Sequence, residues 1–242
     1  MTSLSRAAKD TNQLLERIAP RDRQRILAQC TEVPLAFGRV LFEPEEVIQN
    51  VFFPTSGFIS LITPDGARHN LEVGLVGAEG MVGSTLALGV GSSPVRALIQ
   101  GEGSALRMRA EDFNTAMNES AQCRRVIGAY LYVQFAQVAQ TAACGRFHSL
   151  DARLARWILL TQDRAGAARF RLTHEFLAQM LGVRRAGVTM AAGVLQKRHL
   201  IQYRRGMISV LNRPGLEAVA CACYKRLNEI HDIHLPARRK RA

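Results

Sequence analysis

Acidic residues are scarce at one end of this 242-residue chain, and that shortage limits what the chain can be. From Asp151 onward there are 6 Asp and Glu against 18 Lys and Arg, whereas Met1 to Leu150 holds 14 of each. The formal net charge of +12 therefore belongs to one lobe. Long hydrophobic runs are missing as well. No apolar stretch reaches the roughly 18 residues of a helical membrane span, because Glu72 and Glu79 interrupt the most hydrophobic region. The N-terminus turns polar at once and lacks a secretory apolar core, so the sequence predicts a cytoplasmic protein with no membrane partner.

Five cysteines are an odd count for a disulfide framework, and they are not spaced like the two short ligand clusters of a structural zinc site. Cys221-Ala222-Cys223 is the one close pair and offers two ligands where such a site needs four, so buried thiols are expected and no residue is assigned to a metal. No Ser nucleophile elbow and no Gly-Lys-Ser/Thr phosphate loop is present. His69-x-x-Glu72 is the one hint of a metalloenzyme built on β structure. Three positions along a strand put the two side chains on opposite faces, so no catalytic residue is assigned.

What is present divides into textures. Residues 3 to 18 place Leu4, Ala7, Ala8, Leu14, Leu15 and Ile18 near helical spacing, and Pro20 closes that lead-in or opens a short helix through Cys30. From Val33, short apolar stretches alternate with turn residues, as expected of a β-sandwich or roll. Pro64-Asp65-Gly66 between Phe58–Ile62 and His69–Val73 predicts a tight hairpin. Ala110-Glu111-Asp112-Phe113 opens a short helix, and Cys123 to Gly145 reads as one long helix. Along it Val126, Tyr130, Val133, Gln137 and Gln140 follow an approximate seven-residue repeat, with Ile127, Leu131, Phe135 and Val138 as a second stripe. A helix apolar on two sides has two surfaces to cover: the β domain, and by expectation a second copy of the chain. Another helix follows from Asp151 to Gln162.

The segment Leu172 to Thr189 has the pattern of two helices joined by a tight turn. Thr173 is placed to cap the first helix; Phe176 stands where a capping box would have an acid. Ala178 marks the helix crossing and Gly182 the turn, while Leu177, Leu181, Val183 and Val188 make a small core. Arg184, Arg185, Gly187 and Thr189 are then expected to face outward at the start of the second helix, the end that enters a major groove, where Arg pairs bidentately with guanine. Leu200–Tyr203 and Met207–Leu211 flank Arg204-Arg205-Gly206 as two strands around a basic turn. Thr173, Arg204 and Arg205 are expected on phosphates, and double-stranded DNA is the expected partner.

This order of parts, with Gly57-Phe58-Ile59-Ser60, Gly77-Ala78-Glu79-Gly80, the Gly-Glu-Gly-Ser of 101–104 and the helix-turn-helix with its wing, resembles the Crp/Fnr family of bacterial transcription regulators over roughly residues 12–225. The resemblance implies an α+β chain in three parts. Residues 1–118 would be the helical lead-in and a jelly-roll β domain of cyclic-nucleotide-binding type, 119–148 a long dimerisation helix, and 149–242 a winged helix-turn-helix domain. It further implies a homodimer, RNA polymerase as a partner, and a small-molecule effector in the β domain.

Site by site, the resemblance puts Arg185 at or next to the family's guanine-reading arginine, with Arg184 placed to share the role, and Ala186 replaces a Glu that often follows it. Glu79 matches the residue that holds the ribose in cyclic-nucleotide-binding members. The arginine for the cyclic phosphate usually lies about ten residues later, and here Arg96 is 17 residues on. The long helix has no hydroxyl at Val138 or Ala139, and Thr141 is the nearest. No cofactor is identified: one thiol near the N-terminus, Cys30, is too few for an iron–sulfur cluster, and haem would need His69, His148 or a Cys. The alternative reading is a small-molecule or cyclic-nucleotide binding protein without sequence-specific DNA binding.

Overall fold

The computed structural model of the protein describes residues 11–65 and 69–236. Leu4, Ala7 and Ala8 of the expected lead-in and Gly66 of the expected turn lie outside them. The lead-in survives as α1 (Gln13–Glu16), held by the buried side chain of Asn12. Its oxygen caps Leu15 N–H at 3.0 Å and its amide donates to the carbonyls of Pro54 and Gly80 at 2.9 and 2.8 Å. Pro20 opens α2 (Pro20–Ala28), where its missing N–H costs nothing.

Seven strands follow: β1 (Thr31–Leu35), β2 (Val40–Phe42), β3 (Asn50–Pro54), β4 (Phe58–Asp65), β5 (His69–Val76), β6 (Arg96–Gly101) and β7 (Gly103–Arg109). They form two antiparallel sheets of order β1-β7-β3 and β2-β6-β4-β5. The predicted pair of strands is β4–β5, joined from Ile59 opposite Val76 to Asp65 opposite His69 with a register shift between Leu61 and Ile62; Pro64 and Asp65, expected in the turn, are instead paired strand residues opposite Asn70 and His69. The alternating apolar residues of the two sheets meet in one core with Phe42, Val51, Phe53, Ile59, Val82 and Ile99, and this core also takes in Leu14, Leu15 and Ile18. The Gly-rich segment after it closes as a 3₁₀ turn, Ser84–Leu88.

α3 (Ala110–Glu119) runs into α4 (Ala121–Phe147), whose start is capped by Ser120 Oγ accepting from Cys123 N–H at 3.1 Å. α4 does cover the β domain, but not with the two stripes expected. Ile127 of the second stripe is fully buried beside Cys123 and beside Tyr130 of the first, because it lies one turn from both on the inner face. Tyr130 donates to the Met81 carbonyl at 2.8 Å, and a Cβ on Gly80 would sit 2.4 Å from its hydroxyl, which explains glycine there. The outward face carries Tyr132, Phe135 and Val138, all exposed.

α5 (Leu150–Ala165) opens the C-terminal lobe, and every residue from Leu154 to Thr161 is buried. It is enclosed by β4 and β5 on one side and by the helix-turn-helix on the other, so Phe58 and Leu75 belong to the same cluster as Trp157, Leu177, Val188 and Ile208. The remaining elements are β8 (Arg169–Arg171), α6 (His174–Leu181), α7 (Arg185–Lys197), β9 (Ile201–Arg204), β10 (Met207–Val210), α8 (Arg213–Val219) and α9 (Cys223–His234). α9 packs back along α4. No helix among the described residues is long and apolar enough to cross a membrane.

Candidate nucleic-acid interface

The two helices after Leu172 fold as their spacing dictates. Thr173 Oγ1 accepts from Phe176 N–H at 3.1 Å, the half-cap predicted. Gly182 ends α6 with φ 63° and ψ 44°, a left-handed conformation that a side chain would oppose, and Val183 N–H returns to the Ala178 carbonyl at 2.9 Å. Leu177, Ala178, Leu181 and Val188 are buried in the joint. Arg184 is the N-cap residue of α7, and Arg184, Arg185 and Thr189 are exposed at its entry.

Gly187 does not join them. A Cβ there would meet Leu150 Cδ2 at 3.0 Å, so the position looks into the lobe, toward α5. Helical geometry requires this: Gly187 lies one turn before the buried Ala191 and beside Val188. Its glycine allows α7 to approach α5. The outward face instead carries Met190 and Val194, both exposed.

The wing has three strands, in the order β8-β10-β9. β8 was missed because three residues, Arg169-Phe170-Arg171, are too short to give an alternating pattern. In it Arg169 and Arg171 are exposed either side of buried Phe170, adding two guanidinium groups to the basic surface. The turn between β9 and β10 holds Arg205 at φ 51° and Gly206 at φ 74°, both left-handed, the signature of a two-residue hairpin. Leu172 N–H donates to the Gly206 carbonyl at 2.7 Å and so brings Thr173 against the Arg204–Arg205 turn.

A second contact chain was not foreseen. Tyr203 donates to the Leu172 carbonyl at 2.8 Å and stacks on His174, with ring centroids 4.2 Å apart. His174 Nδ1 lies 3.0 Å from Thr189 Oγ1, which in turn donates to the Arg185 carbonyl at 3.1 Å. Burial, and then the Arg185 charge, push the His174 pKa down, which favours the neutral imidazole between the wing and α7. Thr189 therefore has one hydroxyl lone pair and its methyl left for a ligand. The α7 entry opens onto a cleft of about 870 Å³ that it shares with Asn70 and Leu71 of β5.

Residues 152–219 match the family profile of the Crp-like helix-turn-helix domain. The chain carries that domain on a Crp/Fnr fold. Solved structures with the same architecture include a transcriptional regulator of the Crp/Fnr family from Eubacterium rectale, 18% identical, covering 85% of this chain and 96% of that one with a TM-score of 0.68. FixK2 from Bradyrhizobium japonicum is 15% identical over 80% and 98% of the two chains, TM-score 0.67. The c-di-GMP responsive global regulator CLP of Xanthomonas campestris is 18% identical over 79% and 99%, TM-score 0.65. At these identities the likeness is one of fold. No curated protein matches the chain in sequence.

In the β domain, the expected effector pair is not brought together. Glu79 Oε1 lies 2.9 Å from Arg164 Nε of α5, and both carboxylate oxygens accept from Gly77 N–H at 3.1 Å. Arg96 opens β6 opposite Ile62, and its Nε pairs with Glu43 Oε2 at 2.7 Å. The sheet register commits Arg96 elsewhere, and the cation for Glu79 comes from a distant helix that no local motif reveals. The cleft at Glu79, about 200 Å³, is lined on the α4 side by Gln134 and Gln137 and not by Thr141. The soft ligands gather in a third place, where α4 meets α5: Cys144, His148, Cys221 and Cys223.

Proposed function

We propose that the protein is a homodimeric transcription regulator that reads a near-palindromic DNA site through α7. The observation that carries this is the arrangement of one surface: Arg184, Arg185 and Thr189 exposed at the α7 entry beside Thr173 and the Arg204–Arg205 turn, on the lobe that holds the chain's excess positive charge. Arg184, Arg185 and Thr189 face base edges, with the apolar Met190 suited to a thymine methyl. Thr173, Arg204, Arg205, Arg169 and Arg171 face phosphates. The second copy pairs along the exposed Tyr132, Phe135 and Val138 of α4, which sets the half-sites about 34 Å apart.

The effector enters at Glu79. The CLP regulator is described as responsive to c-di-GMP. In this chain the Glu79 cleft, at about 200 Å³, is below the roughly 300 Å³ of an ordinary small-molecule site, and Arg164 already holds the carboxylate. A ligand there competes with an ion pair that ties the β domain to the DNA-reading lobe, and that competition is the route from sensor to reading helix. Contact with RNA polymerase follows from the regulator role.

Binding-site selection from random duplex, followed by titration of the selected site at rising salt, tests the reading. The expected result is a two-half-site motif and an affinity that falls linearly on a log–log salt plot with a slope set by the phosphates neutralised. Failure to enrich any motif together with a flat salt response would overturn it in favour of a small-molecule binding protein.

A further inference from the structure

Two short ligand pairs far apart in sequence converge at the hinge between the lobes. Cys144 lies on the last turn of α4 and His148 is its C-cap; Cys221 and Cys223 flank the entry to α9. Their ligating atoms all lie within 4.8 Å of one another, with Cys144 Sγ 3.5 Å from Cys221 Sγ and Cys223 Sγ 3.3 Å from His148 Nδ1. A tetrahedral zinc with Zn–S of about 2.3 Å and Zn–N of about 2.0 Å spaces its sulfurs about 3.8 Å apart and sulfur from nitrogen about 3.5 Å apart. Two of the six donor pairs stand within about 0.3 Å of the separations of a single ion's coordination sphere, and no pair exceeds 4.8 Å.

The surroundings fit the same ion. The three thiols are buried and form a cluster of their own with Ala152, separate from both apolar cores. Gln140 Nε2 lies 3.1 Å from Cys223 Sγ, as an outer-shell donor to a thiolate does. Arg156, buried on α5, has no hydrogen-bond partner at Nε, and its charge acts on Cys144. A zinc held by three thiolates and one imidazole has net charge −1, which the buried guanidinium offsets.

We propose that Cys144, His148, Cys221 and Cys223 hold a structural zinc ion that staples the C-terminal end of α4 to the α8–α9 junction. Three thiolates and an imidazole select zinc over harder cations. Iron–sulfur clusters need donors spread over more than one metal atom, wider than this set. A Cys144–Cys221 disulfide would leave Cys223 and His148 without a role and requires the sulfurs to close to about 2.05 Å. On binding, the thiol protons pass to solvent and no electron is transferred. The staple fixes the hinge at His148 and Ser149 through which α4 orients α5 and the reading lobe.

The test needs no DNA, so it is independent of the regulator reading. Full-length protein is purified under reducing conditions, its zinc measured, and the metal replaced by Co²⁺. The expected result is about one zinc per chain, with cobalt giving tetrahedral ligand-field bands and thiolate charge-transfer absorption. Cys223→Ser should weaken zinc by at least about tenfold against a competing chelator, whereas Cys30→Ser, outside the cluster, should leave it unchanged. If Cys223→Ser does not fold, His148→Ala is used, and the wild-type cobalt spectrum still counts the thiolates. Reduced wild-type protein that takes up neither metal, or that holds zinc as tightly in both cluster variants as in the wild type, overturns the assignment, as does recovery of a metal-free Cys144–Cys221 disulfide.

Discussion

Trp157 Nε1 donates a 2.7 Å hydrogen bond to Glu72 Oε1 across the boundary between the C-terminal lobe and the β domain. Ser60 Oγ donates to the other oxygen at 2.5 Å. The carboxyl is buried, and burial pushes its pKa from the usual 4.5 up to about 7; the two hydrogen bonds, Arg156 and Arg164 only partly counter this. The chain's only tryptophan thus anchors α5 to β5 through a group that titrates near neutrality.

A carboxyl whose folded pKa is raised binds its proton more tightly in the folded state. Its contribution is therefore most favourable below about pH 4.5, declines as pH rises to about 7, and is level above that. The full span is about 3 kcal/mol. Glu72→Gln keeps an acceptor for Trp157 and an amide for Ser60 but cannot ionise. Denaturant unfolding between roughly pH 5 and pH 8 should show the wild type losing stability toward alkaline pH with respect to the variant. Parallel profiles would refute the buried-charge account.

Glu72 also shows where sequence reasoning stops. The β4–β5 hairpin, Gly182, the Thr173 cap and the basic wing turn were legible because each is set by residues within a few positions: strand alternation, a left-handed turn, a cap. Gly187 was misplaced because a list of small and basic residues after a turn does not say which of them the 3.6-residue period carries inward. Arg164 at Glu79, Trp157 at Glu72 and the pairing of Cys144 and His148 with Cys221 and Cys223 all join distant segments, so their partners became visible only when α5 and α9 docked. Cys221-Ala222-Cys223 looked two ligands short because Cys144 and His148, at the far end of α4, come beside it only in the fold.

Arg205 occupies the left-handed region at φ 51°, where an L side chain other than Asn or Asp costs about 1 kcal/mol. Asn followed by Gly is the preferred pair for such a turn. Arg205→Asn should therefore raise unfolding stability by about 0.5 to 1 kcal/mol while lowering the salt slope of DNA binding by about one. A less stable Asn variant would show that the arginine has structural contacts that compensate its backbone.

Phe135 is 71% exposed on the outer face of α4, with Tyr132 and Val138 one turn to either side. Covering such a stripe with a second copy removes it from water; a charge placed in its middle would have to be buried unpaired. Phe135→Glu should give a folded monomer by sedimentation, with unchanged helical circular dichroism and weakened binding to a two-half-site duplex. A Phe135→Glu protein that remains dimeric would place the interface elsewhere.

Arg185 and Arg205 differ in what they should read. Arg185 is exposed in the first turn of α7, and Ala there is a good helix former, so Arg185→Ala should leave stability within about 0.5 kcal/mol of the wild type. On a selected site it should cost about 1 to 3 kcal/mol and relax preference at one base pair, because a bidentate contact to guanine is lost. Arg205→Ala, at the wing turn, should weaken selected and random duplex alike and reduce the salt slope by about one. The comparison of both variants on both duplexes at two salt concentrations separates base reading from charge. Equal losses for Arg185→Ala on selected and random DNA would move that guanidinium from the base edges to the phosphates, and the reading helix would then have to find its specificity in Arg184 and Thr189.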